Sequence, residues 1–152
     1  MNSWMKFGAA ACTAAFLTGM SFGQSCASPL TAGEGDTPVA TTAGVTLDLS
    51  GICDPGTFGD DLLYNVTYYS FVAPQSVTYV VQTCNTVDYD SRLAVMMDCT
   101  NAASTIACND DGGAGCLISG STLPFASKLQ FAATAGTTYY ICLLYTSPSP
   151  RD

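Results

Sequence analysis

Residues 64–83 read YNVTYYSFVAPQSVTYVVQT, and this stretch decides the fold class. Two runs rich in β-branched and aromatic residues flank a short PQS turn signal. Because strand side chains alternate between faces, Tyr69 and Phe71 share one face of the first run, and Tyr79 and Val81 lie together in the second. The stretch therefore predicts two successive strands, Tyr64–Ala73 and Val77–Thr83, joined by a tight turn.

The same alternation recurs on both sides of this pair. Further strands are predicted at Val45–Leu49, Ser91–Met97, Ser104–Ala107, Ser127–Ala133 and Thr137–Ile141. Leu93, Val95 and Met97 share a face of one strand, and Leu129 shares a face with Phe131 in another. No helical period of ten residues or more is visible. Short strands separated by Gly, Pro and Asp predict an all-β sandwich.

Composition excludes several functions. The 152 residues include 4 Lys plus Arg, 12 Asp plus Glu and no His, for a net charge of -8. Without His there is no Ser-His-Asp triad and no imidazole metal ligand. The acidic balance argues against nucleic acid and against an anionic membrane surface as partners. We expect no catalytic residue in this segment.

The N-terminus predicts export. Lys6 precedes an apolar stretch, Phe7–Met20, and Ser21-Phe22-Gly23 offers small residues for cleavage before Gln24. The alternative, a membrane anchor, is disfavoured because a helix of this length falls short of the hydrocarbon core. We therefore predict a signal peptide at residues 1–23 and a secreted, cell-surface or periplasmic protein with no membrane span in its mature form. Residues 24–44 are predicted to be a lead-in or linker, and residues 45–141 the sandwich.

The C-terminal residues 142–152 read CLLYTSPSPRD and resemble the translation of a sequencing-library adapter. We expect this tail to be non-native, so that the natural chain continues past Ile141 with other residues. The alternative is a native linker rich in Pro and Ser.

Six cysteines remain between the predicted signal peptide and the tail. An even number in an exported chain predicts disulfides, and six cysteines allow 15 connectivities. Pairing of nearest neighbours is the connectivity that we predict: Cys26 with Cys53, Cys84 with Cys99, and Cys108 with Cys116. A zinc site built from cysteines alone is disfavoured because no C-x-x-C spacing occurs.

The segments from Tyr68 to Ile141 resemble, in order, the bacterial pre-peptidase C-terminal (PPC) domain family. YYSFVAP and SVTYVVQTC resemble its opening strands, and DYDSRLAVMMDC resembles its Phe/Tyr-Asp-x-x-Leu-x-Val segment. ACNDDGGAGC resembles its Asn-Asp-Asp turn, and SKLQFAATAGTTYYI resembles its Ser-x-Leu-x-Phe-x-Ala-x-Ala-Gly-x-x-Tyr-Tyr-Ile segment. About half of the chain is covered directly.

This resemblance implies an antiparallel, jelly-roll-like β-sandwich. The family's Gly-rich turn and last strand are missing, which implies a truncated domain with an unpaired sheet edge. Such domains usually accompany catalytic domains or stand in strings on large secreted proteins, and they are not catalytic themselves. Some relatives attach to collagen or other insoluble polymers, and some bind calcium.

The densest polar cluster is a candidate calcium site. Asn109, Asp110 and Asp111 precede two glycines, and Asp88 and Asp90 add carboxylates if the loops meet. Calcium takes 6–8 oxygen ligands, but the spacing is not that of an EF-hand. The alternative is a turn in which Asn and Asp bond to their own backbone and Gly supplies positive φ.

Three tyrosines are candidates for binding a polymer. Tyr64 and Tyr68 share the face of their strand opposite Tyr69, and Tyr140 points outward from another strand. Exposed aromatic rings contact sugars or fibrous proteins through an apolar face and a polar hydroxyl. The alternative is cross-strand packing, or burial beneath the lead-in segment.

Three functions follow as hypotheses. The first is a non-catalytic accessory module of a secreted or cell-surface protein, serving attachment, spacing or maturation of a larger chain. The second is a calcium-assisted module that binds a polysaccharide or an extracellular protein. The third is a fragment of a secreted hydrolase.

Overall fold

The computed structural model describes residues 2–8, 25–38, 46–53 and 62–145. Its strands are β1 (Asn2–Gly8), β2 (Leu30–Thr31), β3 (Gly35–Pro38), β4 (Leu47–Asp48), β5 (Leu62–Leu63), β6 (Val66–Val72), β7 (Thr78–Gln82), β8 (Ser91–Met96), β9 (Thr105–Asn109), β10 (Lys128–Ala132) and β11 (Thr138–Tyr145). A 3₁₀ turn at Ala102–Ser104 precedes β9. No helix in these ranges is long and apolar enough to cross a membrane.

The strands form two main sheets, which confirms the all-β sandwich. The four-stranded sheet has the order β10-β7-β1-β3, and the five-stranded sheet has the order β2-β6-β11-β8-β9. A small third sheet pairs β4 with β5. The predicted antiparallel pairing holds for β7 with β10 and for β6, β11, β8 and β9. Both sheets are nevertheless mixed, because β1 and β2 pair in parallel with their neighbours.

The main core lies between the two sheets. Tyr69 and Phe71 of β6 face Tyr79 and Val81 of β7, as the alternation predicts. The ring centroids of Phe71 and Tyr79 lie 4.9 Å apart in an edge-to-face arrangement. Such contacts add stabilisation to the burial of the rings themselves. The residues predicted to share a face in the later strands are also in this core, namely Leu93, Val95, Leu129 and Phe131, and Tyr139 and Ile141 of β11 join them.

A second apolar cluster covers the opposite face of the five-stranded sheet. Val66 and Tyr68 of β6 pack there with Met96 of β8, beneath Leu49 and Cys53 of the preceding segment. The five-stranded sheet is therefore buried on both faces. This explains why β8 is buried at every one of its six positions rather than at alternate ones.

Met97 does not face the core, which corrects the prediction for β8. The strand ends at Met96, and the register against β9 shifts between Val95 and Met96. A bulge of this kind inserts a residue and redirects the side chains that follow. Met97 is accordingly 44% exposed.

All six predicted cysteines form disulfides, but the predicted connectivity is wrong. The bonds join Cys26 to Cys99, Cys53 to Cys108, and Cys84 to Cys116, across sequence separations of 73, 55 and 32 residues. Cys108 packs against the second cluster, whereas Cys116 packs with Cys84 and Ala126 elsewhere. Sheet topology therefore separates cysteines that are neighbours in the sequence.

Both chain ends contribute strands. β1 covers the start of the predicted signal peptide and lies between β7 and β3, with Met5 and Phe7 fully buried. The predicted cleavage point before Gln24 lies outside the described residues, and cleavage stays a prediction.

β11 continues past Ile141 to Tyr145 and pairs with β6 and β8 on its two edges. Residues 146–152 also lie outside the described residues, and the non-native origin of the tail stays a prediction.

Candidate functional site

The candidate site is the loop that follows β9. Gly113 has φ +76°, a conformation that favours glycine. At position 112 a glycine is needed because there is no room for a side chain. A Cβ there would lie 2.6 Å from the Cβ of Cys116 and 3.0 Å from the Ala126 carbonyl oxygen. The two glycines therefore allow the loop to pack closely against the Cys84–Cys116 disulfide.

A buried network of hydroxyl groups holds the start of this loop. The hydroxyls of Thr83 and Ser91 lie 2.7 Å apart, and the Ser127 backbone N–H donates to the Thr83 hydroxyl at 2.8 Å. The Ser127 hydroxyl donates to the backbone carbonyls of Ser91 and Asp110. Thr83, Ser91 and Ser127 are all fully buried. The network thus joins the ends of β7, β8 and β10 to the loop.

Three predicted carboxylates meet beside this network. One oxygen from each of Asp90, Asp110 and Asp111 lies within 4.8 Å of the others. Asp88, which is predicted with them, is not in this group of carboxylates. The side-chain oxygen of Asn109, the predicted amide ligand, accepts a hydrogen bond from the Lys128 backbone N–H at 3.0 Å. The structure therefore brings together three of the four predicted carboxylates.

Arg92 enters the same cluster. Its Nε lies 3.1 Å from Oδ2 of Asp110, and both side chains are largely buried. Burial raises the pKa of Asp110 to about 6, against the lowering effect of Arg92 and with a further rise from Asp90 and Asp111. Asp110 is thus a carboxyl group that changes charge in mildly acidic solution.

In this cluster the negative charge of Asp110 is balanced by a positive charge of the protein itself, that of Arg92. Three carboxylates at this spacing have the oxygen chemistry that calcium prefers. However, the guanidinium of Arg92 already neutralises Asp110, and a divalent cation would have to compete with that positive charge. The hydroxyl network has no imidazole beside it, because the chain has no His, and therefore no general base of the serine-hydrolase type.

The three predicted tyrosines have different environments. Tyr64 is 52% exposed, whereas Tyr68 is only 4% exposed and belongs to the second cluster. Burial raises the pKa of Tyr68 to about 12. Tyr140 is half-buried and packs against the same cluster. Tyr68 is therefore not available to a polymer, because the preceding segment covers its face of the sheet.

The hydroxyl network and the pairing of Arg92 were not predicted. Thr83, Ser91 and Ser127 each stand at the end of a strand, but single Ser and Thr residues at strand ends are common. Their meeting depends on which strand ends are neighbours, and local alternation does not encode that.

No family model, curated protein or solved structure matches the chain. The resemblance to the PPC family is therefore a prediction that rests on the sequence segments alone.

Proposed function

We propose that the chain is a non-catalytic accessory module, similar to a PPC domain, of a secreted or cell-surface protein. Its role is to attach a larger chain to an extracellular polymer, a polysaccharide or a protein. Other domains of that longer chain are its expected covalent partners.

The observation that carries this proposal is the set of three disulfides in an all-β sandwich. Disulfides persist in oxidising compartments and are typical of extracellular domains. The polar groups of the candidate site support a structural role, since the hydroxyl network is buried and Arg92 pairs with Asp110. These features favour a rigid, stable spacer over a reactive pocket.

Adsorption and turnover measurements test the proposal together. We expect the full chain to be retained, saturably, on at least one insoluble polymer among cellulose, chitin and collagen. We expect no hydrolysis of these polymers or of chromogenic ester and glycoside substrates. Turnover that disappears in Asp90→Asn or Asp110→Asn, while the fold is retained, would instead support the third hypothesis, a fragment of a secreted hydrolase.

Calcium-assisted binding is the second candidate, favoured by the spacing of Asp90, Asp110 and Asp111. A ligand that binds only the folded state raises its melting temperature, and the rise grows with the logarithm of the ligand concentration once the site is saturated. Because Arg92 already neutralises Asp110, we expect 5 mM calcium or EDTA to leave the melting temperature unchanged. A rise with calcium that is lost in Asp111→Asn would establish the calcium-assisted module instead. Magnesium at the same concentration controls for ionic strength.

A further inference from the structure

One position in the four-stranded sheet is filled by a strand of the predicted signal peptide. β1 lies between β7 and β3 and pairs in parallel with both. Its register partners are Thr78–Gln82 on one side and Gly35–Pro38 on the other. With neighbouring strands about 4.8 Å apart, β7 and β3 are separated by about 10 Å. Cleavage before Gln24 therefore leaves a slot one strand wide, with unpaired backbone groups along both edges.

The floor of this slot is apolar. Met5 and Phe7 are fully buried, and both belong to the main core together with Tyr69 and Val81. The ring centroids of Phe7 and Tyr69 lie 4.7 Å apart. Removal of β1 uncovers these core side chains as well as the two strand edges. A strand with large apolar residues at two alternate positions is complementary to both.

The outer rim of the slot is acidic on the β3 side. Asp36 is exposed and is the register partner of Lys6, which is exposed on the face of β1 opposite Met5 and Phe7. Glu34, which precedes β3, is exposed as well. A basic residue between the two apolar ones is therefore complementary to this rim. A chain with 12 acidic and only 4 basic residues has few such strands of its own to supply, which favours a separate partner.

We propose that the exported chain binds, in this slot, an extended basic strand of a separate extracellular protein. The strand completes the sheet by pairing its backbone with β7 and β3, and two of its apolar side chains take the places of Met5 and Phe7. In this mode of recognition, backbone pairing supplies affinity and the side chains that enter the apolar floor supply specificity. This inference rests on the proposed attachment function and names a protein strand as the group to which the module attaches.

The peptide Asn2–Gly8 (NSWMKFG) is the probe that tests the slot. A protease site placed before Gln24 lets the full chain fold first and lose β1 afterwards. We expect the cut chain, freed of its own fragment, to bind the labelled peptide saturably and to regain the melting temperature of the uncut chain. The uncut chain, whose slot β1 fills, is the control and should bind at least tenfold more weakly. Equal binding by the two chains would overturn the proposal.

Peptide variants identify the contacts that matter. The variant Met5→Asp/Phe7→Asp should bind at least about a hundredfold more weakly, because it cannot fill the apolar floor. If the cut chain unfolds once its fragment is removed, it should refold with the original peptide and not with this variant. Equal effects of the two peptides, on binding or on refolding, contradict the apolar slot.

A charge exchange tests the acidic rim. The peptide variant Lys6→Glu should bind about threefold more weakly at low salt, which is the size expected of an exposed ion pair. Asp36→Lys in the chain should restore the affinity for this variant and weaken that for the original peptide. Affinities that do not respond to the exchange would overturn the basic character of the partner.

The exported form and the attachment function are tested separately. N-terminal sequencing of the exported protein should give Gln24, and an exported protein that keeps Asn2–Gly8 would overturn the inference. A cut chain that dimerises without peptide would fill the slot with its own copy and overturn the separate partner. Retention on insoluble polymers that excess peptide leaves unchanged would overturn the inference while the attachment function stands. Peptide binding with retention on no polymer would instead support the slot and overturn the attachment function.

Discussion

At the scale of single residues, Gly112 is the clearest case of a position determined by packing. A methyl group there meets Cys116 and the Ala126 carbonyl oxygen, neither of which is the free end of a flexible side chain. We expect Gly112→Ala to lower the free energy of unfolding by about 1–3 kcal/mol through overpacking. Gly33→Ala is the matched control, because nothing lies within 4 Å of its added Cβ. Urea unfolding measures both, and equal stability of the two variants would contradict the close packing.

Asp110 makes stability depend on pH in mildly acidic solution. Burial raises its pKa from 3.8 to about 6, so between these values the folded chain holds a proton that the unfolded chain has released. The unfolding free energy therefore falls as pH rises through this window, by the linkage of proton binding to folding.

Asp110→Asn removes this titration. We expect the melting temperature of the original chain, relative to that of the variant, to fall between about pH 4 and pH 6.5. Asp98→Asn is the control, because hydrogen bonds from Thr100 lower the pKa of the exposed Asp98 instead. Parallel melting curves for the original chain and Asp110→Asn across this range would show that Asp110 does not titrate as described.

At the scale of elements, we consider what removal of the predicted signal peptide, which contains β1, does to the stability of the fold. Met5 and Phe7 are fully buried between the sheets, so a chain that starts at Gln24 loses two large core side chains. At about 1.5–3 kcal/mol for each buried side chain, we expect the shorter chain to be less stable by about 3–6 kcal/mol. Trp4→Ala in the full chain is the control, since Trp4 is 45% exposed. Equal urea midpoints for the long and short chains would show that β1 contributes nothing to the stability of the fold.

Some elements could be predicted from the sequence and others could not. The alternation around Tyr69 and Tyr79 is local, and so the strands and their inward faces could be predicted. β1 could not, because its residues lead into the apolar stretch Phe7–Met20, and the whole segment reads as a signal peptide. The meeting of Asp90 with Asp110 was anticipated, since both stand in polar loops beside strands. The Arg92 pair depends on strand register, which follows from the whole fold rather than from any one segment.

At the scale of the whole molecule, the disulfides connect parts that the sheets alone hold less firmly. Cys26 and Cys53 tie the preceding segment over the second apolar cluster, so that both faces of the five-stranded sheet stay covered. Cys84–Cys116 ties the end of β7 to the loop after β9. A closed loop of this length contributes about 3–4 kcal/mol in the chain-entropy model. The connectivity is therefore a property of the whole molecule.

Peptide mapping under non-reducing conditions checks this connectivity. We expect cross-linked peptides that contain Cys26 with Cys99, Cys53 with Cys108, and Cys84 with Cys116. Cys142 is buried and unbonded, so it should react with a thiol reagent only after denaturation. The reduced sample is the control, in which every linked peptide must disappear. Recovery of Cys108 linked to Cys116 would contradict the fold itself, because that bond requires the loop after β9 to leave β7 and release Cys84.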